Sequence, residues 1–336
     1  MTNLKNDISE IKEENDKLKE KILHLDQIKI FFFALKEESP EVQFFDFNDY
    51  TVDSVIGEDS TSSVKLVIKN DKYAMKELID SNHKTVQRFL SEGEIMFILH
   101  HPCIQNIIAV NYGDVDHPPS LILSLEPGSL DSAIANNKLE DRLKCRITIE
   151  IVLGMRYIHH KNYMHRNLKP SNILLSKDNH VRISDFSLAK EEEFNVTQSK
   201  GIDSSIFMAP ELFDDEDEST RYTNKIDVYS FGITLIYIVT GSYPKFSMKN
   251  ITSGALPSFS GTISDWVREL IVRCLSYEPE SRPSFDEIFE TLKSNNYDLF
   301  DESDGKKLTS KQQNMKEEIE ACILKIEAFE FQHKND

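Results

Sequence analysis

The sequence predicts an α+β fold, in which a small strand-rich region precedes a larger helical region. From about Tyr50, apolar residues recur at every second position, as they do along one face of a β-strand. After Pro127 and Gly128 the apolar residues recur at steps of three and four, which is typical of amphipathic helices. Strands followed by helices, with no internal repeat, indicate α+β organisation.

Composition and charge narrow the class of protein. The chain has 336 residues, of which 39% are hydrophobic and 29% charged, as in a globular protein with a real core. Its formal net charge is −18, and binding to nucleic acid or to anionic membranes requires basic surface. We therefore expect no nucleic-acid partner and no membrane partner.

The compartment is predicted from the apolar runs and the cysteines. The longest strongly apolar run, residues 231–240, is too short to cross a bilayer, and the charged N-terminus lacks an apolar signal core. The four cysteines are widely spaced and form no C-x-x-C pair. Free thiols and a cytoplasmic location are the simplest interpretation.

Residues 1–30 are predicted to form a coiled-coil helix that makes a parallel homodimer. Asn15 occupies an a position of the heptad, where a lone asparagine can fix the register of a dimer. The apolar seam comprises Leu4, Ile8, Ile11, Leu18, Ile22 and Leu25. The e and g pairs are opposite in charge: Asp7 with Lys12, Glu14 with Lys19, and Lys21 with Asp26. A solvated single helix, or a helix lying on the domain, is the alternative.

The remaining elements follow in order after a predicted linker at residues 31–49. Three strands lie between about residues 50 and 76, with Asn70-Asp71 as a turn, and a helix covers about Thr85–Leu99. Further helices are predicted at residues 131–136, 141–159, 225–240, 263–274 and 284–293. Residues 295–336 are predicted to be a linker and a final amphipathic helix that docks or recruits something; its apolar positions are Met315, Ile319, Ile323 and Ile326.

Several motifs occur in a fixed order between residues 50 and 294. They are Ala74-Met75-Lys76, Glu92, His165-Arg166-Asn167-Leu168-Lys169-Pro170-Ser171-Asn172, Asp185-Phe186-Ser187, Met208-Ala209-Pro210-Glu211, Asp227 and Arg282. Each alone would be an ordinary surface charge or turn residue, but their order and spacing are specific. The set resembles the eukaryotic protein kinase superfamily, of the tyrosine-kinase-like and serine/threonine type.

The resemblance implies a bilobal protein-kinase fold, with a β-rich N-lobe at residues 50–123 and a helical C-lobe at residues 124–294. It also implies ATP and Mg²⁺ as cofactors, with Asn172 and Asp185 as metal ligands and Lys169 near the γ-phosphate. The implied nucleotide-binding residues are Ile56, Gly57, Val64, Ala74, Lys76, Glu92, Ser124, Leu125 and Leu174. The implied structural residues are His165, Arg166, Phe186, Glu211, Asp227 and Arg282.

The chain departs from the kinase pattern at three places. Asn167 stands where the family has the aspartate that accepts the proton of the attacking hydroxyl. The phosphate-covering loop keeps Gly57 only, with Asp59 and Ser62 at the other glycine positions, so we expect bulk and like charge beside the phosphates. Ser187 replaces a glycine, and we expect its Cβ to limit switching of the loop more than metal binding.

These departures favour a pseudokinase, which binds ATP and Mg²⁺ weakly and acts as a dimeric scaffold or allosteric regulator of unidentified signalling proteins. The alternative is a low-activity serine/threonine kinase, because phosphoryl transfer through a loose transition state depends little on a general base. A third possibility, a different nucleotide transfer, is singled out by no residue.

Overall fold

The computed structural model describes residues 43–80, 82–114, 116–191, 206–213, 222–245, 247–261, 263–300 and 309–333. The chain divides into two compact units. The first runs up to Ile98 and includes Asn106–Leu125, and the second comprises Leu99–Gln105 and the chain from Glu126 onward. The predicted lobe boundary after residue 123 therefore differs in detail. The predicted coiled coil at residues 1–30 lies outside the described residues.

The first unit is built on a six-stranded sheet in the order β1-β5-β6-β4-β3-β2. β1 is parallel to β5, and the other neighbours are antiparallel. One helix, α1 (His83–Ile98), packs on β4 and β5. The strands are β1 (Gln43–Phe44), β2 (Thr51–Glu58), β3 (Ser62–Ile68), β4 (Lys72–Leu78), β5 (Ile107–Asn111) and β6 (Ser120–Ser124).

The alternation that predicted these strands sorts their side chains onto two faces. The core face is a buried cluster of Val67, Met75 and Ile122 with Phe45 and Ala109. Its members come from five parts of the chain, so the strand prediction for residues 50–76 is confirmed and extended by β5 and β6. The opposite face of the sheet carries several of the residues that the resemblance implies bind the nucleotide.

Residues 43–49 were predicted to belong to a linker, and that prediction is wrong for them. Gln43 and Phe44 pair with β5, and residues 47–49 form a 3₁₀ turn capped by the Asp46 carboxylate. Phe45 is buried and makes an edge-to-face contact with Phe47 at 5.1 Å. Aromatic contacts without strand or helix periodicity thus anchor this segment through Phe45.

The second unit is mainly helical, as predicted. Its two small sheets are antiparallel, in the orders β10-β9-β7 and β11-β8. The strands are β7 (Gly128–Ser129), β8 (Tyr163–Met164), β9 (Ile173–Leu175), β10 (Val181–Ile183) and β11 (Lys190–Glu191). The helices are α2 (Leu130–Ala135), α3 (Asp141–His160), α4 (Lys225–Thr240), α5 (Met248–Thr252), α6 (Asp265–Cys274), α7 (Phe285–Ser294) and α8 (Ser310–Gln332).

The core of the second unit is organised around α4, which is apolar on all sides and almost wholly buried. A Cβ at Gly232 would lie 2.8 Å from Leu275 Cδ2, so this glycine permits the close approach of the segment that follows α6. The helix ends at Gly241, whose φ of +71° is the left-handed conformation that favours glycine at this position. Among the described residues, no helix is both long and apolar enough to span a membrane.

The last helix, α8, docks on α3, which fulfils the first of the two roles predicted for it. Its four predicted apolar positions are all buried, namely Met315, Ile319, Ile323 and Ile326. Residues 295–300, predicted to be part of a linker, are packed instead, because Tyr297 and Leu299 are buried in the same unit. Gln312 of α8 donates to the Asp298 carboxylate at 3.0 Å and fixes the start of the helix.

Candidate active site

The lysine and glutamate implied as a pair are joined in the first unit. Lys76 Nζ on β4 lies 2.6 Å from both carboxylate oxygens of Glu92 on α1. The Glu92 side chain is only 3% exposed, so the pair is shielded from water and geometrically well defined. A kinase needs this pair to hold the lysine towards the α- and β-phosphates. Lys76 and Glu92 are therefore arranged as a kinase requires.

Strand pairing brings three more of the predicted nucleotide residues to the same face. Val64 pairs with both Gly57 and Lys76, and Ala74 lies two residues from Lys76 on β4. Residues paired directly across antiparallel strands share a face, as do residues two apart on one strand. Gly57, Val64, Ala74 and Lys76 therefore form one surface, which we call the nucleotide face.

The other predicted nucleotide residues fit less uniformly. Ile56 lies at a register shift in β2 and is 48% exposed. Ser124 pairs with Tyr73, one residue out of phase with Ala74, so its side chain points away from the nucleotide face. Leu125 follows the end of β6 and is half-buried. Leu174 lies in β9 of the second unit and is also half-buried.

In the loop between β2 and β3, the Asp59 side chain accepts hydrogen bonds from other residues of the same loop. Asp59 Oδ1 accepts hydrogen bonds from the backbone N–H groups of Thr61 and Ser62, both at 2.7 Å. The two hydroxyls donate to the same carboxylate, at 2.8 and 3.1 Å. Burial would raise the pKa of Asp59, but these hydrogen bonds outweigh it and lower the pKa. Asp59 is thus a charged internal ligand for amides of the phosphate-covering loop.

The buried carboxylate of Asp227 holds the catalytic loop of the second unit by hydrogen bonds. Asp227 on α4 accepts the backbone N–H groups of His165 and Arg166, at 2.8 and 2.7 Å. It also lies 3.0 Å from His159 Nε2, a partner that the motifs did not indicate. Burial would raise the pKa of Asp227, but the contact with His159 helps to lower it, which keeps the carboxylate charged. Asp227 therefore has the structural role that the resemblance implied.

His165 sits at the centre of this loop and is fully buried. Its Nε2 lies 3.1 Å from the Ser184 carbonyl oxygen, and its Nδ1 accepts the N–H of Asn167 at 3.2 Å. Burial lowers the pKa of His165, which favours the neutral ring that this pattern requires. Phe186, also fully buried, contacts the ring edge-to-face at 4.9 Å.

Asn167 is hydrogen-bonded to the predicted metal ligand. Its Nδ2 donates to Asp185 Oδ2 at 2.7 Å, and Asn172 Nδ2 lies 3.3 Å from the same oxygen. Asn172 also donates to the backbone carbonyl of Asn167, at 2.8 Å. The three residues implied by the catalytic and metal motifs are thus brought together. Asn167, however, acts as a donor to Asp185, whereas a catalytic base would have to accept a proton.

The other oxygen of Asp185 is held by Ser187, whose hydroxyl donates to Oδ1 at 2.7 Å. Asp185 itself adopts φ +63° and Arg166 φ +64°, whereas Ser187 is not among the residues with positive φ. The expectation that Ser187 limits loop switching more than metal binding stays a prediction. Its hydroxyl contacts the carboxylate that would hold the metal.

The residues at this site suit Mg²⁺ in kind, and the candidate carboxylate ligand already accepts hydrogen bonds. Asp185 and the Asn172 side-chain carbonyl offer the hard oxygens that Mg²⁺ prefers. Both oxygens of Asp185 already accept short hydrogen bonds from neutral donors. Each carboxylate oxygen has a second lone pair, so a metal at Asp185 would share the oxygens with these two donors.

Glu211 and Arg282 form a bidentate pair, as implied. Arg282 Nη1 and Nη2 lie 2.6 and 2.8 Å from the two Glu211 oxygens. The arginine side chain is completely buried, and its Nε donates to the Ser276 carbonyl at 2.8 Å. The guanidinium also lies over the Tyr229 ring, at 5.3 Å. The pair thus ties the segment ending in Glu211 to the helical core.

Comparisons with known proteins agree with this geometry. Residues 50–292 match the protein kinase domain family. Over 280 residues the chain is 30% identical to a probable serine/threonine-protein kinase of Dictyostelium discoideum, covering 77% of this chain and 30% of that protein. It is 32% identical over 232 residues to mitogen-activated protein kinase kinase kinase 9 of Arabidopsis thaliana, covering 65% and 29%. The rat serine/threonine-protein kinase TNNI3K is 28% identical over 291 residues, covering 81% and 34%.

The match extends over most of the chain and includes the residues whose geometry is described above. The chain therefore belongs to the protein kinase domain family, and its homologues include serine/threonine kinases. It spans only about a third of the length of these relatives.

Proposed function

We propose that this chain is a pseudokinase, which binds ATP and Mg²⁺ weakly and regulates unidentified signalling proteins as a dimeric scaffold or allosteric partner. The observation that carries the proposal is the hydrogen bond from the Asn167 amide to Asp185. A carboxamide has no useful basicity, and loss of a general base typically costs about 10²–10⁴ in rate. The same side chain also donates to the carboxylate that would hold the metal.

The internal ligands of the phosphate loop support the same conclusion. Asp59 already holds the N–H groups of Thr61 and Ser62. An ATP phosphate could engage these amides only by displacing a carboxylate that belongs to the loop. Like charge and competition for the donors both weaken nucleotide binding without abolishing it.

A low-activity serine/threonine kinase is the second candidate. The observation that favours it is the intact pair between Lys76 and Glu92, which active kinases require. Phosphoryl transfer depends mainly on positioning and charge neutralisation, which Lys76 and Mg²⁺ could still supply. The two candidates differ in turnover and share the nucleotide site.

We expect ATP to stabilise the full chain, and the effect to require Lys76. Ligand present at a hundredfold excess over its dissociation constant adds roughly 2.7 kcal/mol to stability. Lys76→Met removes the charge and keeps the aliphatic stem, so the shift in melting temperature caused by millimolar ATP should disappear. The measurement is a thermal-shift titration with ATP, with and without Mg²⁺.

The matched control is Lys72→Met, which changes an exposed lysine on the same strand. Its ATP-induced shift should equal that of the wild type. An undiminished shift in Lys76→Met would place the nucleotide elsewhere. If neither ATP nor ATP with Mg²⁺ shifted the wild type, the nucleotide-binding part of the proposal would fail.

We expect the chain to form a dimer through residues 1–30. The seam positions supply the affinity, while each exposed charge pair contributes only about 0–1 kcal/mol and mainly selects the parallel orientation. Deleting residues 1–30 should give a folded monomer, and Asn15→Ile should tighten association. Sedimentation at tens of micromolar decides this: a full-length monomer would refute the zipper, and a dimer that survives the deletion would move the interface elsewhere.

A further inference from the structure

Three metal-ligating side chains meet in the second unit, apart from the kinase motifs. They are Glu150 on α3, His180 just before β10, and Cys322 on α8, and their ligand atoms all lie within 4.8 Å of one another. His180 Nδ1 is 2.7 Å from Glu150 Oε1, and Cys322 Sγ is 3.2 Å from the same oxygen. We propose that Glu150, His180 and Cys322 form a Zn²⁺ site that fastens α8 to α3.

The donor set selects the kind of metal. One imidazole nitrogen, one thiolate sulfur and one carboxylate oxygen suit a borderline cation such as Zn²⁺, which binds all three types in tetrahedral sites. Mg²⁺ and Ca²⁺ prefer oxygen ligands alone, and a sulfur donor disfavours them. The His180 side chain is 41% exposed, which leaves an approach for the ion and for a water as fourth ligand.

The surroundings orient the carboxylate for this role. The backbone N–H of Val181 donates to Glu150 Oε2 at 2.7 Å, so Oε1 is the oxygen presented to His180 and Cys322. The N–H of His180 donates to Ser176 Oγ at 3.0 Å, which fixes the turn that carries the imidazole. Hydrogen bonds of this kind hold first-shell ligands in place at known metal sites.

The charges also balance around the proposed ion. A dication is neutralised by the Glu150 carboxylate and the Cys322 thiolate, while His180 stays neutral. Arg146 lies near the site, with Nε 3.7 Å from Glu150, but it also lies 3.6 Å from Glu318 and donates to the Asp178 carbonyl. The arginine therefore keeps an anionic partner of its own when the metal takes Glu150.

Binding replaces the S–H bond of Cys322 by a sulfur–zinc bond and releases that proton to solvent, while the proton that His180 Nδ1 directs at Glu150 moves through solvent to Nε2, so that Nδ1 can bind the metal. Glu150 and Cys322 are 172 residues apart in the sequence. The site also includes α8, which follows the end of the family match at residue 292. A metal here would stabilise the docking of an addition to the kinase domain.

The test uses the full chain, stripped of metal with a chelator and titrated with Co²⁺ as a spectroscopic probe and then with Zn²⁺. We expect one equivalent of Co²⁺ to produce the near-ultraviolet thiolate-to-cobalt band, and Zn²⁺ to abolish it by displacement. Zn²⁺ should also raise the melting temperature, whereas Mg²⁺ and Ca²⁺ should do neither. Cys322→Ser should lose the band, and His180→Gln should weaken Co²⁺ binding by about 10-fold or more.

The control is Cys145→Ala, which removes a buried thiol of α3 that is not a proposed ligand, and it should leave the band unchanged. His180→Gln alters a half-exposed side chain, so it keeps the test decisive even if Cys322→Ser does not fold. The proposal is overturned if no band appears with the wild type, or if the band and the affinity survive in both variants. In either case the three side chains are only a hydrogen-bonded cluster that docks α8.

Discussion

Arg282→Ala is expected to unfold or aggregate the protein, although the residue belongs to no nucleotide-binding motif. Breaking a buried ion pair from one side costs about 3–5 kcal/mol, because the remaining charge is left unpaired. Typical domains are stable by only about 5–15 kcal/mol. The substitution also removes the donors to three backbone carbonyls, those of Ser276, Tyr277 and Lys225.

The measurement is thermal unfolding of the full chain. At about 2–4 °C per kcal/mol for a domain of this size, the melting temperature should fall by roughly 6–20 °C. Arg273→Ala, at an exposed arginine of α6, is the matched control and should change it little. Arg282→Lys should lose much of the stability too, since lysine keeps the charge but not the two-pronged geometry. An Arg282→Ala protein that melts within about a degree or two of the wild type contradicts this role.

Asn167→Asp is expected to raise phosphoryl transfer by up to about 10²–10⁴, the usual contribution of a general base. The gain should fall short of ordinary kinase rates because Asp59 still occupies the amides of the phosphate loop. The new carboxylate also replaces a donor that lies 2.7 Å from Asp185. Two carboxylates at that distance repel each other, so both stability and activity of the variant should depend on Mg²⁺.

The gain should be largest when Asn167→Asp is combined with Asp59→Gly and Ser187→Gly, which free the loop amides and the second oxygen of Asp185. Single-turnover transfer and melting temperature, each with and without Mg²⁺, measure the two effects. Asn70→Asp, in the exposed turn between β3 and β4, is the control for added charge and should change neither. No gain in the triple variant would show that the defect lies elsewhere.

Much of this site could be predicted from the sequence, because the kinase motifs specify both residue type and order. The strands followed from alternation, and the pairing of Lys76 with Glu92 and of Glu211 with Arg282 followed from the motifs. The sequence could not show which groups a given side chain would choose as its hydrogen-bond partners. Asp59 was expected to repel phosphate from the loop, and it instead binds the loop itself.

The hydrophobic pattern also could not predict contacts between segments that are distant in the sequence. Residues 43–49 and 295–300 lack a regular apolar period and were therefore assigned to linkers, yet Phe45 is buried in the first segment and Tyr297 and Leu299 in the second. The helical period of α8 predicted an amphipathic helix but not that it would pack on α3. The meeting of Glu150, His180 and Cys322 depends on that packing, so no spacing in the sequence could have indicated it.

We infer that Asn167 leaves the site without a base and donates to the carboxylate that would hold the metal. Single-turnover transfer of the ATP γ-phosphoryl group by the wild-type chain, at saturating Mg²⁺, tests it most directly. Autophosphorylation and generic substrates such as casein serve as acceptors. We predict a wild-type rate at least about 10²-fold below the 1–100 s⁻¹ typical of kinases. A wild-type rate within that range would contradict the account.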